Sequence, residues 1–168
     1  MKLPVFSNAV IVLLVSFTDV ADKRFKVGFS FSGKETAIVE QIVALLSGYI
    51  PKASIFYYHD HLAHTSRPNY DLYLKSIYSE LCDLVVPFFS LDYMTSPPCQ
   101  MEWKVIREIG FSLKNPERLM YFTLDGSIPE GFSRLDGLIE ASALAPGAIA
   151  RLILQRLGFS ESLPAILP

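Results

Sequence analysis

The sequence predicts an α/β fold, an open parallel five-stranded sheet with helices on both faces. Three observations predict it. Short apolar runs of strand character recur about five times along 168 residues, amphipathic stretches of helical period alternate with them, and Gly, Pro, Asn and Asp punctuate the junctions. The length suits one domain with an ordinary core, and a 51% hydrophobic composition excludes a disordered chain. A net charge of −2 with no basic cluster gives no electrostatic case for nucleic acid.

Residues 1–24 stand apart as an apolar extension. Lys2 precedes the run Ala9 to Val15, which has signal-peptide length, yet no small-x-small cleavage pattern follows before Asp19 and Asp22. Extending the run to Val20 reaches membrane-span length only by admitting Asn8, Ser16, Thr18 and Asp19. Export or membrane association through residues 1–20 therefore stands beside an extra element packed on the domain, or a contact with another subunit. The domain proper starts at Phe25. Phe25-Lys-Val27-Gly-Phe29-Ser-Phe31 alternates as a strand does, and Ser32-Gly-Lys-Glu35 has the form of a capping box. The helix it opens runs to about Ser47, with Ile38, Val39, Ile42, Val43 and Leu46 on one face.

Ala53 to Tyr58 is the second expected strand. His59 to Asn69 is a polar loop, long for such a unit, and long loops in compact domains are usually functional or mobile. His59, His61 and His64 invite a zinc site, but no Cys or acidic constellation completes one, and a polar loop is the favoured reading. Asn69 is placed to cap a helix over Tyr70–Leu81 that buries Leu74, Ile77, Tyr78 and Leu81. Leu84 to Phe89 is the third strand, with Pro87 pointing toward a sheet edge or a strand end. Ser96, Pro97 and Pro98 then suit the start of a helix running to about Leu113, before Asn115-Pro116 breaks it. Leu119 to Leu124 is a fourth strand, Asp125-Gly126 a turn, and Leu138-Ile139 a short fifth strand. Pro146 to Leu157 closes the domain as a helix stopped by Gly158, leaving 159–168 as a tail.

The stretch Ser90 to Trp103 is the candidate site. Helical spacing places Glu102 about a turn into its helix, on the face shared with Cys99 and Ile106, just beyond the end of a central strand, where ligands bind in open α/β sheets. Glu102 also reads as a first-turn acid that complements the helix dipole. Cys82 and Cys99 lack C-x-x-C spacing and sit in apolar settings, as buried thiols of a reducing cytoplasm do.

Four local patterns, in order and correctly spaced, resemble the bacterial TIR (Toll/interleukin-1 receptor) domain over residues 25–158. Phe29-Ser-Phe31-Ser32-Gly33 resembles its first-strand signature. Phe56-Tyr-Tyr-His-Asp60 leading to Asn69-Tyr-Asp71-Leu72, Leu74 and Ile77-Tyr78 is similar to its second strand, BB loop and following helix. Ser90-x-x-Tyr93 leading to Cys99-x-x-Glu102-Trp103 resembles its "S-x-x-Y…W-C-x-x-E-W" run, and Leu138-Ile-Glu-Ala-Ser142 its last strand end. Pro98 stands where the family often has Trp, and Asn69 where the loop usually ends in Gly, a mild change because Asn tolerates a left-handed backbone.

The resemblance implies a flavodoxin-like sheet and cleavage of the nicotinamide–ribose bond of NAD+ as substrate, with Glu102 catalytic, no bound cofactor and no metal. It implies that Phe31, Ser32 and Gly33 line the nicotinamide end, that Asp60 and Arg67 flank the dinucleotide, and that Tyr93 and Trp103 border the carboxylate. It also implies self-association through the 59–69 loop into an oligomer or filament. Activation by a sensor protein or nucleotide signal, in cytoplasmic defence against phage, belongs to the same implication. The residues leave ordinary roles open as well: Trp103 and Phe31 as core aromatics, Asp60 as a strand terminator. A non-enzymatic TIR–TIR interaction module is the alternative. A phosphorelay receiver lacks its acidic residues here, and Phe29 to Glu35 contains no G-x-G-x-x-G of a dinucleotide-binding dehydrogenase.

Overall fold

A computed structural model describes residues 24–57, 68–111, 116–133 and 135–159. The elements in chain order are β1 (Phe25–Ser30), α1 (Thr36–Leu46), β2 (Ile55–Phe56), α2 (Tyr70–Ser76), β3 (Cys82–Phe89), α3 (Leu91–Thr95), α4 (Pro97–Phe111), β4 (Tyr121–Thr123), β5 (Leu138–Glu140) and α5 (Pro146–Arg156). The strands form one five-stranded sheet in the order β2-β1-β3-β4-β5, with every pairing parallel. This is the flavodoxin-like arrangement expected from the alternation of strands and helices. The extension 1–23 and the tail beyond 159 lie outside the described residues. Among the described residues no helix is long and apolar enough to cross a membrane.

Both faces of the sheet are covered, which is why β3 is apolar almost throughout. Leu84, Val86 and Phe88 of β3 join Val27 and Phe29 of β1 against Val39, Ile42 and Val43 of α1 and Ile149 and Ile153 of α5. Phe88 stacks between Phe29 and Phe122, with ring centroids 5.9 and 5.3 Å away. Val85 and Phe89 face the other way, into a core made with Leu74, Ile77, Tyr78, Tyr93, Trp103 and Ile106. The chain therefore leaves β1 toward one face and β3 toward the other, which makes their carboxyl ends the topological switch point of the sheet.

Several local expectations change in the structure. β3 is the central strand, not an edge, and Pro87 sits inside it opposite Ser30. The missing N–H shows as a gap in the ladder to β4: the Met120 N–H bonds the Val85 carbonyl, but residue 87 has no proton to return to Met120, and regular pairing resumes only at Phe88 and Phe122. The capping box does not form. Ser32 makes no side-chain cap, a single 3-10 turn at Gly33–Glu35 intervenes, and α1 starts at Thr36. The side chain of Asn69 does not cap α2 either; its backbone is left-handed (φ 57°), the conformation that Asn tolerates in place of Gly. The α2 pattern widens into a π-turn at Ile77–Leu81, leaving Leu81 only half-buried. β2 is shorter than expected because Lys52–Ser54 form a 3-10 turn.

Two helix boundaries, one start and one stop, behave as read. Pro97 and Pro98 open α4, with the Ser96 carbonyl accepting the Gln100 N–H. Gly158 (φ 90°) ends α5 in a Schellman motif, with Phe159 N–H on the Leu154 carbonyl and Gly158 N–H on that of Gln155.

Gly28 has a packing reason to be glycine. A Cβ there would lie 2.6 Å from Cys82 Sγ and 3.4 Å from the Tyr78 ring. Gly28→Ala is expected to destabilise the domain by about 1–3 kcal/mol through overpacking, read as a lower urea midpoint at unchanged slope, and Cys82→Ala in the same chain should recover part of the loss. An unaltered midpoint in the single variant contradicts the contact.

Candidate active site

Glu102 is buried at 7% exposure in the second turn of α4, beside the carboxyl ends of β1 and β3. Ser30, the last residue of β1, donates its hydroxyl to Glu102 Oε2 at 2.5 Å. Tyr70, the first residue of α2, donates to Oε1 at 3.3 Å. Tyr78, on the π-turn, places its hydroxyl 3.4 Å from Oε2 and 3.1 Å from the Phe29 carbonyl, so its single proton is shared and lies nearer the carbonyl. Behind Ser30 stands the Tyr93 hydroxyl, 2.7 Å from Ser30 Oγ. Tyr93 is held in turn by its N–H on Ser90 Oγ at 3.1 Å and by an edge contact with Phe89.

Each side chain arrives there for a local reason. β1 points Gly28 and Ser30 to the α2/α4 side by its period of two, and the small Gly28 lets the Tyr78 ring approach the strand. Ser90 caps α3 with its hydroxyl, which turns Tyr93 inward to complete burial. On α4, Cys99, Glu102 and Ile106 share the inward face, as helical spacing requires. Cys99 Sγ contacts the Phe31 carbonyl at 3.5 Å, tying the start of α4 to the loop after β1.

No lysine or arginine bonds to Glu102 among the described residues. Burial therefore dominates, pushing its carboxyl from the usual 4.5 up to about 7 against the pull of the Ser30, Tyr70 and Tyr78 hydroxyls. Burial, and then the charge of Glu102, raise the Tyr78 and Tyr93 phenols well above their ordinary range, so both remain neutral donors. A buried acid near neutrality can carry a negative charge or a proton at modest cost, the property expected of an acid–base or electrostatic catalyst.

The other residues singled out from the sequence fall in three places. Ser32, Phe31 and Gly33 lie on the loop after β1. Among the described residues Ser32 Oγ is buried without a hydrogen-bond partner, and a Cβ on Gly33 would meet nothing within 4 Å, so packing against them does not require glycine there. Trp103 lies on another face of α4 from Glu102. Its indole N–H donates to the Glu130 carbonyl at 2.9 Å, its ring packs edge-on to Phe89 and Tyr121, and it lines a hollow of about 430 Å³ with Met94, Lys104, Arg107 and Ile128. Asp60, Arg67 and the histidines 59, 61 and 64 lie outside the described residues. Among the described residues no three His, Cys, Asp or Glu side chains gather as metal ligands would.

Sequence reading missed Ser30, Tyr70 and Tyr78 as partners of Glu102. The available signal was the Tyr78 hydroxyl, expected on the buried side of its helix and so in need of a partner; nothing comparable marked Ser30 or Tyr70. Two further ties also escaped it. Lys34 and Asp92 form an ion pair at 2.5 Å between the loop after β1 and α3, and Asp125 accepts the Leu91 N–H at 2.8 Å, which pins α3 to the end of β4.

No family model matches the chain, and no curated protein matches its sequence.

The raised Glu102 carboxyl links stability to pH with a definite sign. Between about pH 4.5 and 7 the folded state holds a proton that the unfolded chain has lost, so this group's contribution is full below 4.5 and is lost as pH rises to 7. Glu102→Gln, which cannot ionise, should gain stability on the wild type by roughly 3 kcal/mol between pH 4.5 and 8, measured by urea unfolding at both pH values. A constant difference contradicts the raised carboxyl.

Proposed function

We propose that the protein is an NAD+ glycohydrolase of the TIR type, cleaving the nicotinamide–ribose bond to release nicotinamide and ADP-ribose or a cyclic form of it. The observation that carries this reading is Glu102: a carboxylate with no second acid bonded beside it among the described residues, buried by the switch point of a parallel sheet and held by hydroxyls. The resemblance of residues 25–158 to TIR domains supports it, and so does the chemistry. Nicotinamide leaves NAD+ as a neutral pyridine, so no acid is needed to protonate it. Ordinary glycosidases need two carboxylates, one of them for that step. What remains is an oxocarbenium-like ribose, which one anion stabilises electrostatically while also accepting a proton from the attacking water or hydroxyl. Desolvation sharpens both effects, because the charge of Glu102 is poorly screened.

On this reading the enzyme acts in the cytoplasm as an effector of anti-phage defence. It is switched on by assembly through the 59–69 loop, under a sensor subunit or nucleotide signal. Residues 59–67 of that loop lie outside the described residues.

A second reading, a TIR–TIR interaction module without catalysis, is favoured by one feature: among the described residues the Glu102 hydrogen bonds join α4 to β1, α2 and the π-turn, as they would for an acid that only ties these elements together. Activity separates the two. Purified protein incubated with NAD+, with and without a crowding agent that promotes assembly, should release nicotinamide. Glu102→Ala and Glu102→Gln should lower the rate by at least about 100-fold, and the wild-type rate should climb with pH to a plateau above about 7. Release that is undiminished in both variants removes Glu102 from the mechanism, and no release under any condition favours the interaction module.

A further inference from the structure

The two oxygens of Glu102 are held unequally. Among the described residues, Oε2 takes the short Ser30 bond and the approach of Tyr78, whereas Oε1 has one long bond, from Tyr70 at 3.3 Å. We propose that Ser30 and Tyr93 are positioning residues, a two-hydroxyl relay that fixes Oε2 and leaves Oε1 as the oxygen that meets the substrate. This rests on the reading of Glu102 as the working carboxylate.

Counting protons gives the relay a direction. Ser30 has one hydroxyl proton, and when Oε2 takes it, Ser30 Oγ has only lone pairs to offer Tyr93, so the Tyr93 phenol donates across the 2.7 Å contact. The order is Tyr93 to Ser30 to Glu102, through residues of 0%, 1% and 7% exposure. In such a dry chain each donor polarises the next, so the Tyr93 proton strengthens the Ser30 bond to a charged Oε2. A proton placed on Oε2 would take away the acceptor of the Ser30 hydroxyl, and if Ser30 then turned round it would donate to Tyr93. In either arrangement one hydroxyl proton, that of Ser30 or of Tyr93, has no acceptor among the hydrogen bonds of the described residues. The relay thus favours a charged Glu102, although Tyr93 never touches it.

Among the described residues the groups facing Glu102 are Ser30 from β1, Tyr70 from α2, Tyr78 from the π-turn and Cys99 from its own helix, with Tyr93 acting through Ser30 and through space. Tyr70 differs from the others in being half-buried and in bonding the less crowded oxygen. A sugar hydroxyl that replaces the Tyr70 bond reaches Oε1 without disturbing Oε2. That separation of duties is the reason to have two oxygens so differently held.

The test is a carbon-13 NMR titration of the Glu102 carboxyl, assigned by its absence in Glu102→Gln, in wild type, Tyr93→Phe and Ser30→Ala. Tyr93→Phe is expected to move the midpoint upward by on the order of half a unit to one unit, the worth of one buried hydrogen bond, and Ser30→Ala by more. In NAD+ turnover both variants should lower kcat with little change in KM and shift the acid limb of the pH profile by the amount seen in NMR. An unshifted midpoint in a folded Tyr93→Phe protein overturns the relay, and if that variant does not fold, an unshifted midpoint in Ser30→Ala does so. A shifted midpoint in a protein that never cleaves NAD+ keeps the relay and removes the glycohydrolase reading.

Discussion

A carboxylate taken out of water with no lysine or arginine bonded to it among the described residues is the constraint that the site is built around. An unpaired buried charge is too costly to keep, so the chain must supply donors, and here they are hydroxyls from β1, α2 and the π-turn. Hydroxyls soften the cost without cancelling it, which leaves the acid near neutrality. A guanidinium in the same place would hold the carboxylate firmly ionised and spend its charge on an internal ion pair. The sheet makes this arrangement possible by ending β1 at Ser30 next to β3 and sending their following segments to opposite faces.

Many elements become explicable from that constraint. Gly28 gives Tyr78 its approach, and the Ser90 cap turns Tyr93 toward Ser30. The Lys34–Asp92 and Asp125–Leu91 contacts hold the segments after β1 and β3 over the same edge. Arg118 reaches the carbonyls of Tyr78, Ser79 and Cys82, which closes off the π-turn that carries the Tyr78 hydroxyl. Exposed pairs among these contribute little stability each. Their value is in fixing directions at the rim, where a small displacement changes what an active carboxylate can reach.

The sheet and its helices were legible because their signals are local. Alternation in β1, the apolar run of β3, proline at the start of α4 and glycine after α5 each act within a few residues. Pro87 misled toward an edge because a central strand tolerates one lost hydrogen bond where a single ladder is interrupted. Ser32 and Asn69 misled as caps, since capping depends on backbone angles that their neighbours impose. Glu102 was legible as a candidate from its helical face and from a family resemblance. Its partners were not, because Ser30 is 72 residues away and Tyr70 is 32, and no sequence pattern encodes which buried hydroxyl meets which acid. Trp103 follows Glu102 in sequence, yet helical rotation sends it to the aromatic cluster with Phe89, Tyr121 and Phe132.

The most direct measurement is a structure of the assembled protein with a carba-NAD+ analogue, in which the scissile bond cannot break. The account predicts the ribose ring seated against Glu102, a sugar hydroxyl bonded to Oε1 in place of Tyr70, and Oε2 still held by Ser30. A dinucleotide bound away from Glu102, with the Tyr70 and Ser30 bonds both intact, would contradict it.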